Sequence, residues 1–132
     1  MVDAVPPVVE DSILDTTKKV LGIEQPYTIF DTDIIMHINS VFTILTQLGV
    51  GPDEGFMIED NTKTWSNFIG EVKIINAVKS YMYLRVRHLF DPPATSFAIA
   101  ANEKQYAEFE WRLNVIMEGI RHPWPTPTST PS

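Results

Sequence analysis

The stretch Glu71 to Asp91, EVKIINAVKSYMYLRVRHLFD, limits the possible folds more than any other part of the chain. Ile75, Val78, Met82, Val86 and Leu89 follow one another at intervals of three, four, four and three, the spacing that lays one apolar stripe along a helix. Ile74, Ala77, Tyr81 and Leu84 widen the stripe on one flank, while Lys73, Asn76, Ser80, Tyr83 and Arg87 make a mostly polar opposite face. So wide an apolar arc needs neighbours on more than one side, which predicts a central helix with other helices around it. Pro92 and Pro93 end it, because neither has an N–H to continue the ladder and Pro92 pushes Asp91 out of helical geometry.

The remaining elements follow from the same periodicity. A first helix is expected from about Glu10 to Leu21, with Ser12 as cap and Asp15 where a capping box has Glu. Ile13, Leu14, Thr17, Val20 and Leu21 form its buried face and Gly22 its stop. A second helix, capped by Asp31 with Asp33 in its first turn, runs to about Leu48. It buries Ile34, Ile38, Val41, Leu45 and Leu48 and ends at Gly49, Gly51 and Pro52. Between residues 53 and 70, a turn leads into a short extended or β segment at 56–59. Thr64 then caps a one-turn helix whose Trp65, Phe68 and Ile69 cover one end of the bundle. The last helix, capped by Thr95 or Ser96, runs from about Phe97 to Ile120. Ile99, Tyr106, Phe109, Leu113, Ile116 and Ile120 form its seam, and Trp111 and Met117 add apolar surface beyond it. The fold class is all-α: a four-helix-bundle-like domain over residues 9–120, with an extended or β insertion between the second and third long helices. Residues 1–8 read as an extended or disordered arm and 121–132 as a Pro/Thr/Ser-rich tail.

A chain of 132 residues is long enough for one core. Without cysteine there are no disulfides, thiolate metal sites or cysteine nucleophiles. No apolar run is long enough to span a bilayer and the N-terminus is acidic rather than basic, so a soluble protein with no targeting segment is expected. The net charge of -7 is uneven: up to Thr62 the only bases are Lys18 and Lys19, whereas the second half is nearly balanced. Such a surface argues against sequence-specific DNA binding, though not against a channel through which DNA slides.

The search for chemistry returns little. Asp33 and His37 share a helical face at metal-compatible spacing, yet no facing helix carries an obvious second pair. His88 is placed to meet the dipole at the end of the central helix, and His122 lies in the tail. Glu59 and Asp60 read as solvated acids, and there is no phosphate-binding loop or nucleophile elbow. No enzyme activity, metal or cofactor is expected. Arg85 and Arg87, with Lys73 and Lys79, form the most basic part of the chain. They are either a solvated face or a contact with the acidic half of a neighbouring copy. The extended residues Phe56, Met57, Ile58 and Glu59 need a pairing partner, in the same chain or in another subunit.

Taken in order, DTDIIMHINSVFTILTQLGVG, FMIEDNTKTWSNFIG, AVKSYMYLRVRHLFDPPATS and EFEWRLN resemble the head–tail connector, or adaptor, proteins of long-tailed bacteriophages, over roughly residues 10–118. The resemblance implies a virion protein of the neck, made in the host cytoplasm. It would form a ring of about twelve copies beneath the portal. Phage DNA would pass through without sequence-specific binding, and the portal and the next connector, stopper or tail protein would be its partners, with no membrane involved. Trp111 and Met117, with Arg85, Arg87 and residues 56–59, become candidates for packing between subunits. Pro123, Trp124, Pro125 and Pro127 become candidates for docking on the portal or an adjacent connector, since prolines lower the entropy lost on ordering and Trp124 can serve as an anchor. A small helical regulatory or chaperone-like binding protein is the main competing class, and an enzyme with a metal or carboxylate site is the other.

Overall fold

The structure, a computed structural model, describes residues 10–70 and 72–121. The N-terminal arm and the docking candidates Pro123, Trp124, Pro125 and Pro127 lie outside the described residues. Five helices follow one another: α1 (Ile13–Val20), α2 (Asp31–Gln47), α3 (Trp65–Phe68), α4 (Val72–Phe90) and α5 (Ser96–Arg121). α4 is central and packs against α1, α2 and α5. Ile74, Val78, Tyr81, Met82 and Val86 are its buried residues, whereas Ile75 is half-buried and Leu89 is exposed. The buried face is thus rotated toward the Tyr81 flank of the expected stripe, because α5 docks there and Tyr81 hydrogen-bonds Glu110 on that helix.

Ser12 caps α1 as expected, its Oγ accepting the Asp15 N–H at 3.2 Å. Gly22 closes the helix at φ 82°, with the Ile23 N–H donating to the Lys18 carbonyl at 2.9 Å. On α2 the cap position falls to Phe30, and Asp31 is the first helical residue. Its carboxylate is drawn away from capping by an ion pair to Lys18 at 2.8 Å. Ile34, Ile38, Val41, Phe42 and Leu45 are buried along α2.

Of the two forms expected at 56–59, an extended loop or a β segment, the strand does not form, and among the described residues β pairing is limited to one bridge between Ser12 and Thr64. Asn39 takes the partner's place by bonding both backbone groups of Ile58, so the segment is held without a neighbouring strand. The far end of the insertion is stitched to α1: the Ile13 N–H donates to the Lys63 carbonyl, the Trp65 N–H to the Asp11 carbonyl, and the Trp65 indole to Thr16 Oγ1. Thr64 starts α3 as expected, its N–H donating to Asn67 Oδ1 at 2.8 Å. Trp65 and Phe68 do more than cover an end: both are buried and stack with Phe42 and Phe56 in one aromatic cluster. The ring of Phe68 lies where a Cβ on Gly51 would have to be, and φ at Gly51 is 88°, so only glycine suits that turn.

Candidate assembly surface

The polar side chains of this domain converge chiefly on the α4–α5 joint. Tyr81, buried on α4, donates to Glu110 Oε2 at 2.6 Å. Arg85 donates to the same oxygen at 3.0 Å and, through Nε, to the Tyr81 hydroxyl at 3.1 Å. The guanidinium also lies 4.1 Å from the centre of the Tyr106 ring, a stacked cation–π contact. One turn on, His88 Nδ1 and the Tyr106 hydroxyl share a hydrogen bond of 2.6 Å. Burial, then the hydrogen bond to Glu110, raises the Tyr81 hydroxyl far above its ordinary range. Burial works against the Arg85 charge, but its bonds to Glu110 and Tyr81 outweigh it and the guanidinium holds its proton more tightly than usual. Burial, with the nearby Arg87 charge, lowers the His88 pKa. The arrangement clasps one helix to another and has no nucleophile poised beside a base.

A second cluster lies at the start of α2. Lys18, 1% exposed, pairs with Asp31 and donates to the Gln25 carbonyl at 2.9 Å, tying the 22–30 loop across α1 and α2. Sequence reading overlooked this buried ammonium. The available signal was spacing: Lys18 lies four residues after Leu14 and three before Leu21, on the apolar side of α1. Asp33 is exposed and His37 half-buried, and no group of three or more His, Asp or Glu side chains is arranged to hold a metal among the described residues. Asp60 bonds the hydroxyl and N–H of Thr62, which hold its carboxyl below the usual range. An open groove of about 930 Å³ runs between α2 and the insertion, lined in part by Met36, Thr43, Phe56, Met57 and Lys63.

The residues singled out for subunit contact separate into two groups. Ile58 and Met117 are buried in the chain's own core, so neither side chain is free for a partner: Asn39 fixes the backbone of Ile58, and Met117 faces inward one turn beyond Leu113. Phe56 is half-buried in the aromatic cluster. Arg85 is spent on Glu110, and Arg87 donates to the Val20 carbonyl at 2.8 Å at the end of α1, although its side chain remains exposed. Met57, Glu59 and Trp111 are open to solvent. Other large apolar groups share that exposure, namely Tyr27, Ile29, Met36, Phe97 and Val115. Ile99, expected in the α5 seam, is also exposed. No helix of the described residues is long and apolar enough to cross a membrane.

Polar clusters that lock elements together, and apolar side chains left open on helices and loops, suit a structural assembly protein. Residues 13–119 match the family model described as phage connector protein, and since this covers most of the chain, the protein belongs to that family. Comparison with curated proteins and with solved structures gave no match. The chain is therefore a structural component of the bacteriophage head–tail junction.

Proposed function

We propose that this connector works as a ring of about twelve copies below the portal, extends the DNA channel, and presents a platform to the next connector, stopper or tail protein. It performs no catalytic step. Family membership over 13–119, a span that includes the core of all five helices, carries the reading. The net charge of -7 is compatible with it, because an acidic protein repels DNA rather than holding it. Trp111, Met57, Glu59 and the exposed Arg87 meet neighbouring copies. Arg85, Phe56, Ile58 and Met117 act there indirectly, by fixing the elements that carry those groups. After synthesis in the host cytoplasm, the Pro123–Pro127 segment docks on the portal or an adjacent connector, with Trp124 as anchor.

Electron microscopy of phage necks, with the protein located by a tagged copy, tests the ring. A density ring of this chain between portal and tail is expected, and its absence from assembled particles overturns the reading. Deletion after Arg121 and, separately, Trp124→Ala test the tail. Both should leave thermal unfolding unchanged and reduce attachment to portal-containing heads. Full attachment by both variants removes the docking role and leaves the connector assignment intact.

A further inference from the structure

α5 presents a second stripe, apolar toward both ends and charged at its centre, on the side away from the core. At about 100° per residue, Phe97, Ala101, Lys104, Glu108, Trp111 and Val115 fall within about 80° of one another, opposite the buried Leu113 and Met117. Their spacing of four, three, four, three and four is that of a coiled-coil seam. All six are exposed, Phe97 by 74%, Trp111 by 67% and Val115 by 49%, and α5 packs mainly on α4 by its other side. Three large apolar groups aligned on one helix and left in water suit a helical partner.

The order of residues in the stripe identifies that partner. Placed antiparallel to itself about a two-fold axis through the level of residue 106, the stripe sets Phe97 against Val115, Ala101 against Trp111, and Lys104 against Glu108, each pair occurring twice. The larger side chain faces the smaller at both apolar levels, Phe97 on Val115 and Trp111 on Ala101, and opposite charges meet at the centre. A parallel pairing in register would set Lys104 on Lys104, Glu108 on Glu108 and Trp111 on Trp111. Among the described residues neither Lys104 nor Glu108 is held in an ion pair, so both charges are open to a partner. We infer that the outer face of α5 is a two-fold docking surface for a second copy of this chain, packed antiparallel and keyed by reciprocal Lys104–Glu108 pairs.

Such a contact is isologous and closes at two copies, unlike the head-to-tail contact that builds a ring. The two uses of Trp111 exclude each other, so, on the ring reading proposed above, the pair must open before a copy enters the neck.

Sedimentation equilibrium on the full chain over a wide concentration range tests the inference. The wild type should rise from the 15.0 kDa monomer toward twice that mass and no further. Lys104→Glu and Glu108→Lys each set like charges together twice and should weaken association by about tenfold or more, with helix content unchanged because both residues are exposed. An equimolar mixture of the two variants should dimerise again, since each restores the other's opposite charge. Trp111→Ala should leave a folded monomer. A wild type that stays monomeric, one that exceeds a dimer, single variants that associate normally, or a mixture that fails to recover would each overturn the inference. Neck imaging is independent of all these outcomes, so failure here is distinguishable from failure of the ring.

Discussion

Asn39 on α2 holds both backbone groups of Ile58: its Oδ1 accepts the Ile58 N–H at 2.8 Å and its Nδ2 donates to the Ile58 carbonyl at 3.0 Å. A single amide side chain thus supplies the pair of bonds that an adjacent strand would have made, and Ile58 itself is buried in the core. Asn39→Ala should cost about 2 kcal/mol in urea unfolding, because two backbone groups lose their partners beside a buried residue. Asn39→Asp, ionised at neutral pH, keeps an acceptor for the Ile58 N–H but sets a second oxygen against the Ile58 carbonyl, so it should also be destabilising. Equal stability of wild type and alanine variant would show that water satisfies Ile58 equally well.

This contact also marks where sequence reading stops. The central helix was legible because a long apolar period ends at two prolines, and α1 and α3 because Ser12 and Thr64 are capping residues before apolar runs. Periodicity shows that a face is buried but not which neighbour approaches from which side. Hence the face of α4 turned toward Tyr81, and Met117 proved to be core rather than open surface. That the backbone of Phe56 to Glu59 needs a partner was readable. That Asn39, nineteen residues before Ile58, satisfies its backbone was not, since a long-range contact to a side-chain amide leaves no local pattern. The basic character of Arg85 and Arg87 was equally plain, while their intrachain acceptors, Glu110 and the Val20 carbonyl, are set by tertiary packing.

The Lys18–Asp31 pair predicts an asymmetry between its two ends. Lys18 is almost wholly buried, whereas Asp31 keeps a quarter of its side chain in water at 24% exposure. Asp31→Ala leaves an ammonium buried with the Gln25 carbonyl as its other recorded acceptor, and should destabilise by about 3 kcal/mol. Lys18→Met keeps most of the stem's packing and removes the charge that must be buried, so it should cost clearly less. Thermal unfolding of both variants in the same buffer checks the order, and a larger loss in Lys18→Met would contradict it.

At the α4–α5 joint, Arg85→Met should lower stability by about 2 kcal/mol, because Glu110 loses a charge-assisted bond and Tyr106 its stacked guanidinium. A double-mutant cycle with Glu110→Gln should show coupling, since both changes act on one shared oxygen. Arg87→Glu is expected to change stability far less, because that side chain is exposed. Charge reversal at Arg87 is therefore the cleaner probe of contact between copies: reduced incorporation into particles with unchanged unfolding would assign it to an interface. Additive effects of the Arg85 and Glu110 substitutions would show that the joint is not a coupled unit.

His88 gives the joint a pH dependence whose sign can be worked out. Burial, helped by the Arg87 charge, lowers its folded pKa below the ordinary value of 6.5, so the unfolded chain binds this proton more readily than the folded one. Stability from this group is then fully present above about pH 6.5. It declines as pH falls below that value and stops declining once pH has passed the lower, folded-state pKa. Urea unfolding at intervals from pH 7.5 to pH 5 should show a loss that His88→Gln largely removes, while carboxylates titrate mainly lower. An identical decline in the glutamine variant would assign the acid sensitivity to another group and leave His88 a packing residue.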